Sequence, residues 1–136
     1  MNKARTYAAE VLDLSFFGTP VPWSFRSNAW LLSLHSGPAI DADGKIRNLI
    51  AYPEYESQRI PRNTTHWRRN GATVLNVNDL IFPFNHTGAH ATATHWAMTP
   101  EGETRPRYAG QIEPPLQIAP GQRPVIKAGA LQIQER

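Results

Sequence analysis

Residues 29–38 read AWLLSLHSGP, and this stretch decides the fold. In an extended chain Trp30, Leu32 and Leu34 share one face, while Leu31, Ser33 and His35 share the other. The run is too short for a typical helix, has large apolar side chains at most positions and ends at Gly37-Pro38. It therefore predicts a buried strand over Ala29–His35.

Downstream, the same period of two recurs in short pieces. Residues 39–55 predict a long loop with a turn at Asp43-Gly44. Ser57–Arg62 and Thr64–Arg69 predict strands, broken by Pro61 and by Asn70-Gly71. Asn-Gly is a hairpin signal because both residues accept the positive φ of a tight turn. Thr73–Val77 follows, then Leu80–Phe84, where Pro83 predicts an edge or a bulge. Ala91–Met98 (ATATHWAM) leads into a turn at residues 100–103. Arg107–Ile112 and Leu116–Ile118 read as two separate strands, and Ala119-Pro120-Gly121 as another turn. The last stretch, Val125–Gln134, alternates, with Leu131 and Ile133 on one face and Gln132 and Gln134 on the other.

Upstream, residues 3–15 carry a helical pattern. Ala4, Tyr7, Ala8, Val11, Leu12 and Leu14 recur at spacings of three and four, Asn2 is placed to cap the start, and Gly18, Pro20 and Pro22 end it. The whole predicts one domain over residues 1–136: an N-terminal helix (1–17), a Pro-rich loop (18–28) and a β-sandwich (29–136). Eight or so short strands with turns between them, and no helical crossovers for parallel pairing, give the fold class. That class is all-β, a jelly-roll-like antiparallel β-sandwich with one short N-terminal α-helix.

Composition agrees. The chain has 136 residues, 40% hydrophobic and 18% charged, which suits a folded domain rather than a disordered one. Twelve prolines argue against a helical protein, because proline removes an amide donor. The absence of cysteine excludes disulfides and thiolate metal sites. No apolar run approaches the roughly 20 residues that span a bilayer, so no membrane partner is expected. The start is basic like a signal peptide, but Glu10 and Asp13 interrupt its would-be apolar core, so the terminus is read as mature. Net charge is +3, and arginines gather at Arg59, Arg62, Arg68, Arg69, Arg105 and Arg107. They are interspersed with Glu54, Glu56, Glu101 and Glu103, which disfavours nucleic acid as the partner.

The candidate chemistry is thin. His86, His90 and His95 lie close in sequence with His66 nearby, but only residues an even number apart share a strand face, so His95 points away unless a bulge intervenes. The plainer reading puts His86 and His90 in a loop and His95 half-buried beside Trp96. No Gly-x-Ser-x-Gly elbow surrounds Ser24, Ser33 or Ser57, and Glu54 and Glu56 read as a solvated pair. No catalytic residue, metal site or cofactor is assigned, and the chain is read as a non-enzyme. Aromatics and arginines are enriched where proteins meet. Phe16, Phe17, Trp23, Phe25, Arg62, Arg68 and Arg69 are therefore the interface candidates, with a local core under the helix as the competing reading of the aromatics.

The order of these elements resembles a family of small bacteriophage virion proteins, variously described as tail-fibre-like or capsid-cement proteins. The family opens with a short helix and a proline-containing loop, then a strand close to residues 30–38. Tyr55–Arg59 and Trp67 stand where it has Tyr-x-Arg and a tryptophan, at a longer Tyr-to-Arg spacing. Ile81-Phe82-Pro83 matches a segment ending in Phe-Pro, and Thr94-His95-Trp96-Ala97 matches Thr-His-Phe/Trp before a small residue. Tyr108-Ala109-Gly110 and Ala128-Gly129-Ala130-Leu131 match its closing strands. Residues 40–53 depart most, lacking the family's glycine and threonine richness.

The resemblance implies a jelly-roll-like sandwich and a structural role in the virion, assembled in the host bacterial cytoplasm. The expected partners are further copies of the chain and the major capsid protein or neighbouring virion and tail proteins. The leading expectation is a capsid cement or decoration protein. The alternatives are a tail component (collar, baseplate or fibre-attachment protein) and a host-glycan-binding module that uses an exposed Trp23 or Trp67 beside Asn63 and Arg68. On this reading, deleting residues 1–17 leaves a folded β domain with weakened particle attachment.

Overall fold

The computed structural model describes Phe16, residues 29–86 and residues 88–134. The predicted helix, Phe16 excepted, and the loop at 18–28 lie outside the described residues.

Nine strands occur among these residues: β1 (Ala29–His35), β2 (Gln58–Pro61), β3 (Trp67–Asn70), β4 (Thr73–Asn76), β5 (Leu80–Ile81), β6 (Ala91–Pro100), β7 (Tyr108–Ile118), β8 (Val125–Ile126) and β9 (Gln132–Gln134). They form a four-stranded sheet in the order β2-β1-β6-β7, a three-stranded sheet β3-β4-β9 and the pair β5-β8. Every pairing is antiparallel. The molecule is an all-β sandwich.

Residues 73–134 form one antiparallel ribbon. Met98 pairs with Tyr108, Ala91 with Ile118, Asn85 with Gln122, Leu80 with Ile126 and Thr73 with Gln134. As one arm steps back along the chain, the other steps forward by nearly the same count. The ribbon starts in the four-stranded sheet, passes through β5-β8 and ends in β4-β9, wrapping around a single core. A nest of strand pairs rolled about a core in this way is how a jelly roll is built.

The core lies between the layers. β1 contributes Trp30, Leu32 and Leu34; β6 contributes Trp96 and Met98; the opposite layer contributes Trp67, Val74, Leu80, Ile126, Leu131 and Ile133. Burying each such side chain stabilises by about 1.5–3 kcal/mol. Phe16 joins them: it is fully buried, stacks on Trp30 at 5.1 Å and meets Trp67 edge-on at 4.7 Å.

Among the predicted elements that differ, three have a cause visible in the structure. The β3-β4 hairpin forms, but its two-residue turn is Gly71-Ala72, one step later than the Asn-Gly signal. Asn70 stays in the ladder opposite Thr73, and Gly71 alone takes positive φ, at 65°. The two strands expected at Arg107–Ile112 and Leu116–Ile118 are one strand, β7. The break between them survives as a change of register: Gln111 pairs with His95 and Leu116 with Ala93, so Ile112–Pro115 bulge outward opposite Thr94. Finally, Val125–Gln134 is two strands, because Asn76 draws residues 127–131 into a turn. Its side chain donates to the Asn78 and Lys127 carbonyls at 2.8 and 3.0 Å and accepts from the Leu131 amide at 3.0 Å.

Candidate interaction surface

Among the described residues, the predicted interface candidates do not form a single patch. Phe16 is a core residue with no exposed surface, so its assignment to a subunit contact is corrected in favour of the local core. Arg62 is half-buried, whereas Arg68 and Arg69 are exposed on β3. As successive strand residues, the latter two point to opposite faces. Phe17, Trp23 and Phe25 lie outside the described residues. Trp67 is 1% exposed and donates its indole N–H to the Pro61 carbonyl at 3.1 Å, so it cannot serve as a sugar-stacking platform.

Several of the basic residues are paired with acids. Arg47 meets Asp41 at 2.8 Å, Arg59 meets Glu101 at 2.8 Å and Arg107 meets Glu103 at 3.5 Å. Glu54 differs from the expected solvated carboxylate. It accepts the His86 amide at 3.0 Å and turns its other oxygen inward, where no described group reaches it. His86 and His90 are exposed in the loop before β6, and His95 is partly exposed.

On the outer face of the four-stranded sheet, His35 is fully buried. Its Nδ1 lies 2.6 Å from the Arg47 carbonyl and its Nε2 lies 2.8 Å from Ser33 Oγ. A carbonyl can only accept, so Nδ1 carries a proton; in the neutral ring Nε2 accepts from the Ser33 hydroxyl, which also lies 3.3 Å from the Ala97 carbonyl. Burial lowers the His35 pKa, against the pull of the Arg47 carbonyl, and nearby His95 pushes it down further. A neutral imidazole thus latches the 39–50 loop onto the sheet. Two further contacts complete the latch: the Ser36 amide donates to the Asn48 carbonyl at 2.8 Å, and His35 forms a β-bridge with Leu49. The loop is braced at its own tip, where Asp41 Oδ1 accepts the Asp43 and Lys45 amides, both at 2.9 Å. The Lys45 amide hydrogen bond is the main cause of a lowered Asp41 pKa; desolvation opposes it, and the Asp43 amide and Arg47 add to the lowering.

The described residues also leave a cleft along two strand edges. It measures about 520 Å³ and runs between β7 and β9, lined by Trp96, Tyr108, residues 109–111 and residues 132–134. Among the described residues, no charged side chain lines it. It adjoins a smaller, more apolar hollow of about 220 Å³ behind the β7 bulge, and Trp96 and Gln111 line both.

The strand edges at this cleft follow from the hydrogen-bond pattern. The Glu101 amide donates to the Ala29 carbonyl, which makes Leu31–Thr99, Ser33–Ala97 and His35–His95 the hydrogen-bonded pairs of β1-β6. β6 therefore turns the backbone groups of Trp96 and Met98 toward β7, where Gly110 and Tyr108 meet them. The backbone N–H and C=O of Ala109 and Gln111 point the other way, off the sheet edge. The same alternation, set in the β3-β4 hairpin by the Val77 amide bonding the His66 carbonyl, directs Val74 toward Ile133 and leaves the backbone of Gln132 pointing outward.

Trp96 lies beneath this edge. A Cβ at Gly110 would meet its indole at 2.9 Å, so glycine there is what lets the ring slide under β7. The residue is 6% exposed, and its indole forms part of the cleft wall. Sequence reasoning singled out Trp96 and Tyr108-Ala109-Gly110 only as pattern matches and did not place them at a cleft. The alternation of Gln132 and Gln134 was the signal that an exposed strand lay there.

No protein-family model matches the chain, and no curated protein matches it in sequence.

Proposed function

We propose that the chain is a bacteriophage virion structural protein that reinforces or decorates the capsid as a cement protein, working by contacts with its own copies and with the capsid lattice. One observation carries this reading. The short motifs shared with small virion proteins are far apart in sequence, yet three of them occupy adjacent strands of one sheet in mutual register. Leu34 of the first stands opposite Trp96 of the second, which stands opposite Gly110 of the third, and His35 pairs with His95. A chance assortment of short matches has no reason to converge on one patch. Their placement supports a resemblance at the level of the sandwich framework.

A cement protein acts by mass action: it binds the assembled lattice more tightly than free subunits and so stabilises the lattice. The test is an electron-microscopy difference map between virions with and without this protein. Density lost across the shell in the lattice pattern is the expected result. Loss confined to one vertex or the tail reassigns the chain as a tail component, and no loss removes it from the particle.

A further inference from the structure

We infer that the cleft between β7 and β9 is a strand-acceptor site, which takes an extended, uncharged segment of another protein with apolar side chains at alternate positions. The inference does not depend on the virion reading.

The hydrogen-bonding groups specify the occupant. The cleft is bordered on one side by the outward N–H and C=O of Ala109 and Gln111 and on the other by those of Gln132. Donors and acceptors presented two residues apart along a strand edge are what another strand supplies in return. Between these edges lies the indole of Trp96, which lines the cleft.

Charge and shape point the same way. Two other edges among the described residues are blunted in the ways sheets commonly use against adventitious pairing: β2 ends in Pro61, and β3 carries exposed Arg68 and Arg69. Along the cleft neither Tyr108–Gln111 nor β9 carries a charge or a proline. Beside it, Ile112, Leu116, Ile126 and Leu131 give the smaller hollow an apolar wall, with Glu113 and Lys127 also lining it. An inserted strand directs every second side chain inward, so its apolar residues fit there while its polar ones face solvent.

The test is selection from a library of random linear peptides against the full chain, followed by amide hydrogen exchange on the complex. The expected result is a set of binders that alternate apolar and uncharged polar residues and slow exchange at Ala109, Gln111 and Gln132. Ala109→Pro removes an outward donor on an edge strand while leaving the β6 pairing intact, and should weaken such binders on the order of tenfold. Gln132→Lys, which puts a charge at the rim, should weaken them as well, and a thermal melt of each variant checks that it is folded. Failure to recover binders, or binders indifferent to both substitutions in folded protein, overturns the site. Protection of the same three amides in a peptide-free homo-oligomer shows a second copy to be the occupant and overturns the heterologous partner.

Discussion

β1 and β7 belong to the same sheet and differ in almost every other respect. β1 is central, flanked by β2 and β6, and six of its seven residues are buried. β7 is longer, lies at the edge, interrupts its register with a four-residue bulge and buries only Ile118. One is sealed by the core on one face and by the 39–50 loop on the other; the other lies open along its free side. The contrast separates residues that hold the fold from residues left available for contact, and it ranks what substitutions should do.

The largest effect is expected where the sealed side meets its deepest aromatic cluster. Phe16 packs on Trp30 of β1, on Trp67 and on Tyr108 at 5.8 Å. Phe16→Ala should cost about 3–5 kcal/mol, lost burial plus the cavity left behind, measured by urea denaturation. Deleting residues 1–17 should do at least as much. This replaces the sequence-based expectation that the β domain folds without that segment. A truncated protein with an unchanged midpoint would show that the aromatic cluster closes up on its own.

Legibility follows the same contrast. The boundaries of β1 match the sequence reading residue for residue, because a strand buried on both faces writes apolar residues at nearly every position and stops at Gly-Pro. β4 and β6 come within two residues for similar reasons. β7 was divided because Pro114-Pro115 removes two amides, and sequence alone cannot tell a strand that ends from one that bulges and resumes. The turn between β8 and β9 was missed because its cause, Asn76, lies about fifty residues earlier. The cleft was invisible for a related reason: which strands become edges depends on long-range pairing that local periodicity does not encode.

Asn76 tests the join between the two regions, since it fastens the turn before β9 to β4. Its side chain is buried and makes three hydrogen bonds to backbone groups. Asn76→Ala strips partners from the Lys127 carbonyl and Leu131 amide and should cost about 2–3 kcal/mol. The same variant should speed amide exchange in residues 128–134 more than in β1. Uniform loosening of both regions would mean the turn is not an independent fastening.

The Ser33–His35 latch on the outer face of β1 predicts a pH dependence. His35 is held neutral by burial, so its folded pKa is below the unfolded value of about 6.5. The unfolded chain then binds the extra proton first, and stability rises with pH between the two values. The contribution is fully present above about pH 6.5 and is lost as pH falls toward and through the lowered folded pKa. Denaturation midpoints near about pH 7.5 and about pH 5.5 should differ, and His35→Gln should narrow the difference. An equal difference in the variant would assign the acid sensitivity to another group.

The smallest effect belongs to the open edge. Ala109 is exposed, and its N–H points away from β6, so Ala109→Pro removes no hydrogen bond within the sheet. Proline's fixed φ is tolerated on edge strands, and the expected change in stability is within about 0.5 kcal/mol. At Gly110, one residue along, any Cβ collides with the Trp96 indole, so Gly110→Ala should be the more damaging change although it adds only one carbon. That inversion of the usual ranking of proline and alanine is specific to the alternation assigned to β7. If Ala109→Pro proves worse than Gly110→Ala in thermal denaturation, the outward edge of β7 is set by Tyr108 and Gly110, and the cleft presents a different pair of backbone groups to whatever enters it.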